Sequence, residues 1–136
     1  MNRRSLLLSI PAIVIGRSLS AEARTFYVPG LAEEAMDAGD VVLLDFWASW
    51  CSTCAAQERV IAELLAANPD YARHIRVIIV DWDSYGNGDL ARSLQVQRRS
   101  TLVALKGRTE IGRIVAGTGR AEIEALMNAA LAAATT

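Results

Sequence analysis

The sequence predicts an α/β sandwich: a mixed central β-sheet with helices on both faces. Two apolar runs carry that prediction. "VVLLDFW" (Val41 to Trp47) and "IRVIIVDW" (Ile75 to Trp82) are hydrophobic almost throughout, as central strands covered on both faces are, and the second is β-branched through its middle. The third observation is the helical segment between them, Ser52 to Ala67, where Ala56, Val60, Ile61, Leu64 and Leu65 recur at helical spacing until Asn68-Pro69 ends the pattern.

The remaining elements fit around this centre. "TFYV" (Thr25 to Val28) reads as a short strand closed by Pro29-Gly30, and "LAEEAMDAG" as a helix with Leu31, Ala35 and Met36 on one side and Gly39 at its end. After the second central strand come a loop, "SYGNG", and a helix from about Asp89 to Leu94. "TLVAL" (Thr101 to Leu105) and "EIGRIVAG" (Glu110 to Gly117) are strands joined by a turn at Lys106-Gly107. In the last strand apolar residues fall on both faces, which fits either a covered strand or an edge. A helix from about Arg120 to Ala133 closes the chain.

With 136 residues, 52% of them hydrophobic and 21% charged, the chain suits one globular domain, here residues 24–136. Its formal net charge of −1 supplies no concentrated basic face, which excludes nucleic acid as an expected partner. Residues 1–23 read as a cleaved export signal peptide. Asn2-Arg3-Arg4 is basic, Ser5 to Gly16 is an apolar run too short to span a bilayer, and Ala21-Glu22-Ala23 offers a small-x-small cleavage site. "NRRSLLL" fits a twin-arginine signal as well as a general secretory one. Export places cysteines where disulfides persist.

The only two cysteines stand in "WASWCSTC", directly after the first central strand and at the head of the long helix. Residues three apart on a helical turn lie about 5 to 6 Å apart, within the Cα separation a disulfide tolerates, so the pair can open and close with little backbone movement. Free N–H groups and the positive end of the helix dipole stabilise a thiolate at Cys51 and lower its pKa. That makes Cys51 the expected nucleophile and Cys54, one turn inside, the resolving thiol. A structural staple competes with this reading, but closing so short a loop constrains the unfolded chain little. Zinc would need twice as many ligands, and the single His74 lies past the helix in a charged stretch, as a solvated surface residue would. No metal site is expected from these residues.

The segment "VVLLDFWASWCSTC" resembles the strand-to-active-site segment of the thioredoxin family: a buried Asp six residues before the first Cys, and Trp both immediately before it and three residues earlier. "IRVIIVDWD", "LQVQRRSTLVALKGR" and "GRIVAGTGRAEIEALMNAAL" follow the family's remaining strands and last helix in order. The resemblance implies a thioredoxin-like three-layer sandwich. It also implies that Cys51 attacks, that Cys54 resolves, and that Asp45 is a buried acid exchanging protons with Cys54. Trp50 would wall the active surface, Arg99, Ser100 and Thr101 would form the loop facing the cysteines, and Gly117 would let substrate backbone approach. For Trp47, packing competes with chemistry. A carboxyl inside an apolar strand has a raised pKa, which suits Asp45 to its role.

Four departures from the family pattern stand out. The dipeptide between the cysteines is Ser52-Thr53 rather than Gly-Pro, giving two hydroxyls that could donate to a thiolate. Ile79 replaces a lysine often found near the buried acid, Arg59 replaces a kinking proline, and Arg99-Ser100-Thr101 replaces Ile-Pro-Thr. A cis bond before a residue other than proline costs about 2.5 to 4 kcal/mol, so a trans bond before Ser100 and a reshaped groove are expected. Arg98 and Arg99 would lie beside Cys51, where positive charge depresses a thiol pKa and attracts acidic partners.

Together these readings predict a periplasmic thiol-disulfide oxidoreductase of a Gram-negative bacterium that reduces protein disulfides through Cys51 and Cys54. It would need no organic cofactor, would act on disulfide- or thiol-containing periplasmic proteins, and would exchange electrons with a membrane donor or acceptor. Two other classes remain: a thiolate module that binds or delivers copper, which two soft thiolates suit, and a non-catalytic interaction domain.

Overall fold

The structure, a computed structural model, describes residues 24–136, so the expected signal peptide, residues 1–23, lies outside the described residues. In chain order the elements are β1 (Arg24–Phe26), α1 (Leu31–Asp37), β2 (Val41–Trp47), α2 (Ser52–Ala67), α3 (Pro69–His74), β3 (Arg76–Asp81), α4 (Trp82–Tyr85), α5 (Asp89–Ser93), β4 (Thr101–Lys106), β5 (Thr109–Val115) and α6 (Arg120–Ala134). The five strands form one mixed sheet in the order β1-β3-β2-β4-β5. β1 and β2 run parallel to β3, whereas β4 is antiparallel to β2 and to β5.

Side chains alternate across the sheet and divide the core into two. Val42, Leu44 and Phe46 of β2, with Ile78 and Val80 of β3, pack beneath Ala32, Ala35 and Met36 of α1 and Leu90 and Ala91 of α5. On the opposite face Val41, Leu43, Val77, Leu102 and Ala104 meet Ile61 and Leu64 of α2, Tyr71 of α3 and Ile123, Met127 and Ala130 of α6. This is the three-layer sandwich expected from the sequence. Asp45 falls on the same face as Val41 and Leu43, so it points into the layer that holds α2.

Several boundaries differ from the sequence reading, each for a local reason. Asn68-Pro69 ends α2 but also starts α3: the Asn68 side chain accepts from the Asp70 N–H at 3.1 Å, and Pro69 occupies the first turn, where its missing donor costs nothing. His74 ends this second helix and is exposed, as expected of a solvated surface residue. Trp82, expected as the end of the second central strand, and Ser84-Tyr85, expected in the loop, wind one helical turn in which the Trp82 ring packs edge-on against Phe46, 6.3 Å between centroids. β1 is shorter than "TFYV" and begins at Arg24. β5 lies at the sheet edge, which decides between the two readings of its mixed pattern. At the end of α1, Gly39 adopts φ 81°, a left-handed conformation that glycine enters without a Cβ penalty.

Phe46 is wholly buried at the centre of the first core. Phe46→Ala should lower stability by about 3–5 kcal/mol, read as a reduced urea midpoint at unchanged slope.

Candidate functional site

Cys51 caps the N-terminus of α2: its Sγ accepts the Cys54 N–H at 3.1 Å. The two cysteines form a disulfide across a Cα separation of 5.2 Å, and Ala48, Trp47 and Trp82 pack around them. Cys51 is 5% exposed and Cys54 not at all. Only Cys51 can be reached by an incoming sulfur without rearrangement. The amide that caps Cys51 in the disulfide is a charge-assisted donor once that sulfur is a thiolate.

Opposite the sulfurs lies Ser100, fully buried, with Oγ 3.1 Å from Cys51 Sγ and 3.2 Å from Cys54 Sγ. No peptide bond among the described residues is cis, so the bond before Ser100 is trans, the isomer a residue other than proline favours. The loop instead makes its turn by placing Ser100 at φ 61°, in the left-handed region, with Ala116 facing it at φ 64°. Such positions persist only where neighbours over-determine them. Here the Ser100 N–H donates to Phe46 O at 2.7 Å, and its carbonyl accepts from the Ala116 N–H at 2.8 Å and from Gln57 Nε2 at 3.0 Å. Gln57 Nε2 also donates to Gly117 O at 2.9 Å, tying α2 to both loops that flank the sulfurs.

Sequence reasoning missed Gln57, although a signal was present. It stands three residues after Cys54 and four before Ile61, on the buried stripe of α2, where a polar residue needs specific partners. The hydroxyl that reaches the sulfurs comes from Ser100 on the opposing loop and not from the dipeptide between the cysteines, where Ser52 is exposed.

Burial pushes the Asp45 carboxyl up to about 7, because an anion loses its hydration there; a favourable interaction with Arg24 opposes this and repulsion from Glu58 adds to it. Neither carboxyl oxygen has a hydrogen-bond partner among the described residues. Ile79, in the place of the expected lysine, sits opposite Asp45 in the register of β2 and β3. Asp45 nevertheless has a cationic neighbour. Arg24 of β1 supplies it and is bound to Glu58 of α2 at 2.6 Å, a pair invisible from sequence because β1 meets α2 only through the sheet order.

Trp50 is 59% exposed yet fixed from two sides: Arg99 stacks its guanidinium 4.4 Å from the ring centroid, and the indole Nε1 donates to Asp83 at 3.0 and 3.1 Å. Arg99 thus belongs to the surface around Cys51 through Trp50. Thr101 is buried at the start of β4 and its hydroxyl donates to Arg98 O at 2.8 Å, so it shapes the loop rather than presenting a surface. At Gly117 a Cβ would lie 2.0 Å from Glu122 Oε1, the mobile end of a side chain on α6, while the Gly117 carbonyl accepts from Gln57 Nε2 at 2.9 Å. Trp47 packs edge-on against Phe26, 5.8 Å between centroids, which favours the packing role. Among the described residues no three His, Cys, Asp or Glu side chains group as a metal site, and the space facing the sulfurs is filled by the Ser100 hydroxyl.

Residues 30–129 match the thioredoxin family model. The chain belongs to the thioredoxin family. Among its relatives, the thioredoxin of Mycolicibacterium smegmatis is 34% identical over 82 residues, 60% of this chain and 70% of that one. Thioredoxin of Mycobacterium tuberculosis is 32% identical over 92 residues, 68% of this chain and 75% of that protein. Of solved structures, Trxlp from Edwardsiella tarda superposes with a TM-score of 0.67 at 27% identity, covering 76% of this chain and 97% of that one. Malassezia sympodialis thioredoxin, 21% identical, gives 0.68 over 80% of this chain and 94% of that one, a likeness of fold. Thioredoxin-family membership and the Cys51–Cys54 pair together make the chain a thiol-disulfide oxidoreductase.

The raised Asp45 pKa fixes a pH dependence. Between the ordinary carboxyl value of 3.8 and about 7 the folded state holds a proton that the unfolded state has lost, so the stability supplied by the neutral carboxyl is full below the lower value and falls as pH rises to the higher one. Asp45→Asn should therefore gain stability relative to the parent as pH rises from 4 to 8, by up to about 4 kcal/mol, with little further change above that range. Urea melts of both proteins across the series measure it.

Proposed function

We propose that the protein is an exported, periplasmic reductase of protein disulfides, returned to its dithiol form by a membrane electron donor. The observation that carries the reductase chemistry is the asymmetry of the pair: Cys51 is slightly exposed at a helix N-terminus with a backbone donor aimed at its sulfur, and Cys54 is sealed behind it. The basic, apolar and small-residue pattern of residues 1–23 supports export. That the described residues form one small domain with no helical domain inserted in it supports reduction over oxidation.

In this reading the Cys51 thiolate attacks one sulfur of a substrate disulfide, forming a mixed disulfide and expelling the other sulfur as a thiolate that takes up a proton. Cys54 then loses its proton to the Asp45 carboxylate and attacks Cys51 Sγ, closing the pair and releasing the second substrate thiolate. Two electrons pass to the substrate. Asp45, near neutrality in its own titration, is suited to take the proton in this step and return it on re-reduction. The Trp50 and Arg99 surface beside Cys51 would receive the substrate chain, with Arg98 and Arg99 favouring acidic segments.

Cys51→Ser should reduce disulfide reduction to the uncatalysed rate, and Cys54→Ser should stall as a covalent mixed disulfide visible on a non-reducing gel. A reduction potential near about −270 mV would support the reductase, whereas one near about −120 mV would indicate disulfide donation. Residues 1–23 fused to a reporter should deliver it to the periplasm of a Gram-negative host; a reporter retained in the cytoplasm would sink the proposed location.

A further inference from the structure

We infer that Ser100 is a catalytic residue: its hydroxyl donates a hydrogen bond to whichever cysteine sulfur carries negative charge during the exchange. The inference rests on the oxidoreductase reading above and adds a group to its chemistry.

The position of Oγ is the first ground. It lies almost equally far from Cys51 Sγ and Cys54 Sγ, 3.1 and 3.2 Å, on the side of the pair opposite the helix that carries them. The second ground is the shortage of other acceptors. Ser100 is fully buried, and among the described residues the two sulfurs are the hydrogen-bond partners of its hydroxyl. A buried hydroxyl with no oxygen or nitrogen to donate to is poorly satisfied by a neutral disulfide, whose sulfurs are weak acceptors. A thiolate is a strong acceptor, and a donor already aimed at it forms a charge-assisted bond.

The third ground is that the hydroxyl is fixed before the charge appears. Ser100 is held at φ 61° by bonds from its own N–H to Phe46 O and to its carbonyl from Ala116 N–H and Gln57 Nε2. Gln57 is a positioning residue in this scheme, because it touches the Ser100 backbone and not the sulfurs. A donor placed before the reaction adds no reorganisation cost when charge develops.

No proton is transferred by Ser100 and no bond to it is made or broken. In the dithiol state the Ser100 O–H and the Cys54 N–H converge on the Cys51 thiolate. When the mixed disulfide forms, the Cys51 charge is consumed, and a turn of the O–H about the Ser100 Cβ–Oγ bond, with Oγ itself in place, redirects it to the Cys54 thiolate that attacks next. The hydroxyl thus favours the reduced, ionised pair over the neutral disulfide, lowering the Cys51 pKa and making the couple more oxidising.

Two variants test this: Ser100→Ala, which removes the hydroxyl, and Ser100→Gly, which removes it while relieving the left-handed backbone. The measurements are the Cys51 thiol pKa, by the pH dependence of alkylation of the reduced protein, and the thiol-disulfide equilibrium constant against glutathione. Both variants should raise the Cys51 pKa by about one unit and shift the equilibrium about tenfold toward the disulfide, about 30 mV more reducing. Folded variants with the parent's pKa and equilibrium constant would overturn the assignment while leaving the oxidoreductase reading intact. A parent protein whose cysteines form no reversible couple with glutathione would overturn both.

Discussion

The Ser100 carbonyl is the point on which the site depends. It accepts from Ala116 N–H on the strand-end turn and from Gln57 Nε2 on α2, while the Ser100 N–H reaches back to Phe46 O on β2. Three separate elements therefore meet at one residue held in a left-handed conformation, a geometry that costs of order 1–3 kcal/mol where it is not compensated. The satisfied hydrogen bonds supply that compensation in a buried setting, where an unpaired carbonyl or amide would itself be costly. A proline could not serve here in the same way. It has no N–H for Phe46 O, and its ring fixes φ far from 61°.

This explains how the chain keeps the thioredoxin architecture while departing from the family at the loop that faces the cysteines. The loop still has to turn sharply and seat a small group against both sulfurs. In this protein a trans peptide, a positive φ and a side-chain amide from the neighbouring helix accomplish that. The result differs chemically as well as geometrically. Where an apolar ring would only exclude water, Ser100 excludes water and places a polar hydrogen beside the disulfide.

Much of the fold was legible because its signals are local. Runs such as Val41 to Trp47, and the spacing of Ile61 and Leu64 on α2, follow from which side chains must be dry. The positions of Cys51, Cys54 and Asp45 were legible for the same reason, since a cysteine pair at a helix start and an acid inside an apolar run are both visible along the chain. What sequence could not supply were contacts between distant segments. Gln57 meets Ser100 across 43 positions and Arg24 meets Glu58 across 34, and no periodicity encodes either pair. Asn68-Pro69 illustrates a different failure. The same two residues stop one helix and start the next, and their propensities alone do not say which task they perform.

The electrostatics of the site follow from what was kept apolar. Ile79 beside Asp45 leaves the carboxyl without a direct hydrogen-bonding cation, and Arg24 acts from β1 while its charge is partly claimed by Glu58. Desolvation therefore decides the outcome, and Asp45 titrates near 7 rather than near 4. Asp45 and Ser100 differ in acidity. Asp45 can gain and lose a proton near neutrality, while the Ser100 hydroxyl cannot and can only donate a hydrogen bond. Asp45 thus offers a proton that exchanges near neutrality, and Ser100 a donor held in place beside both sulfurs.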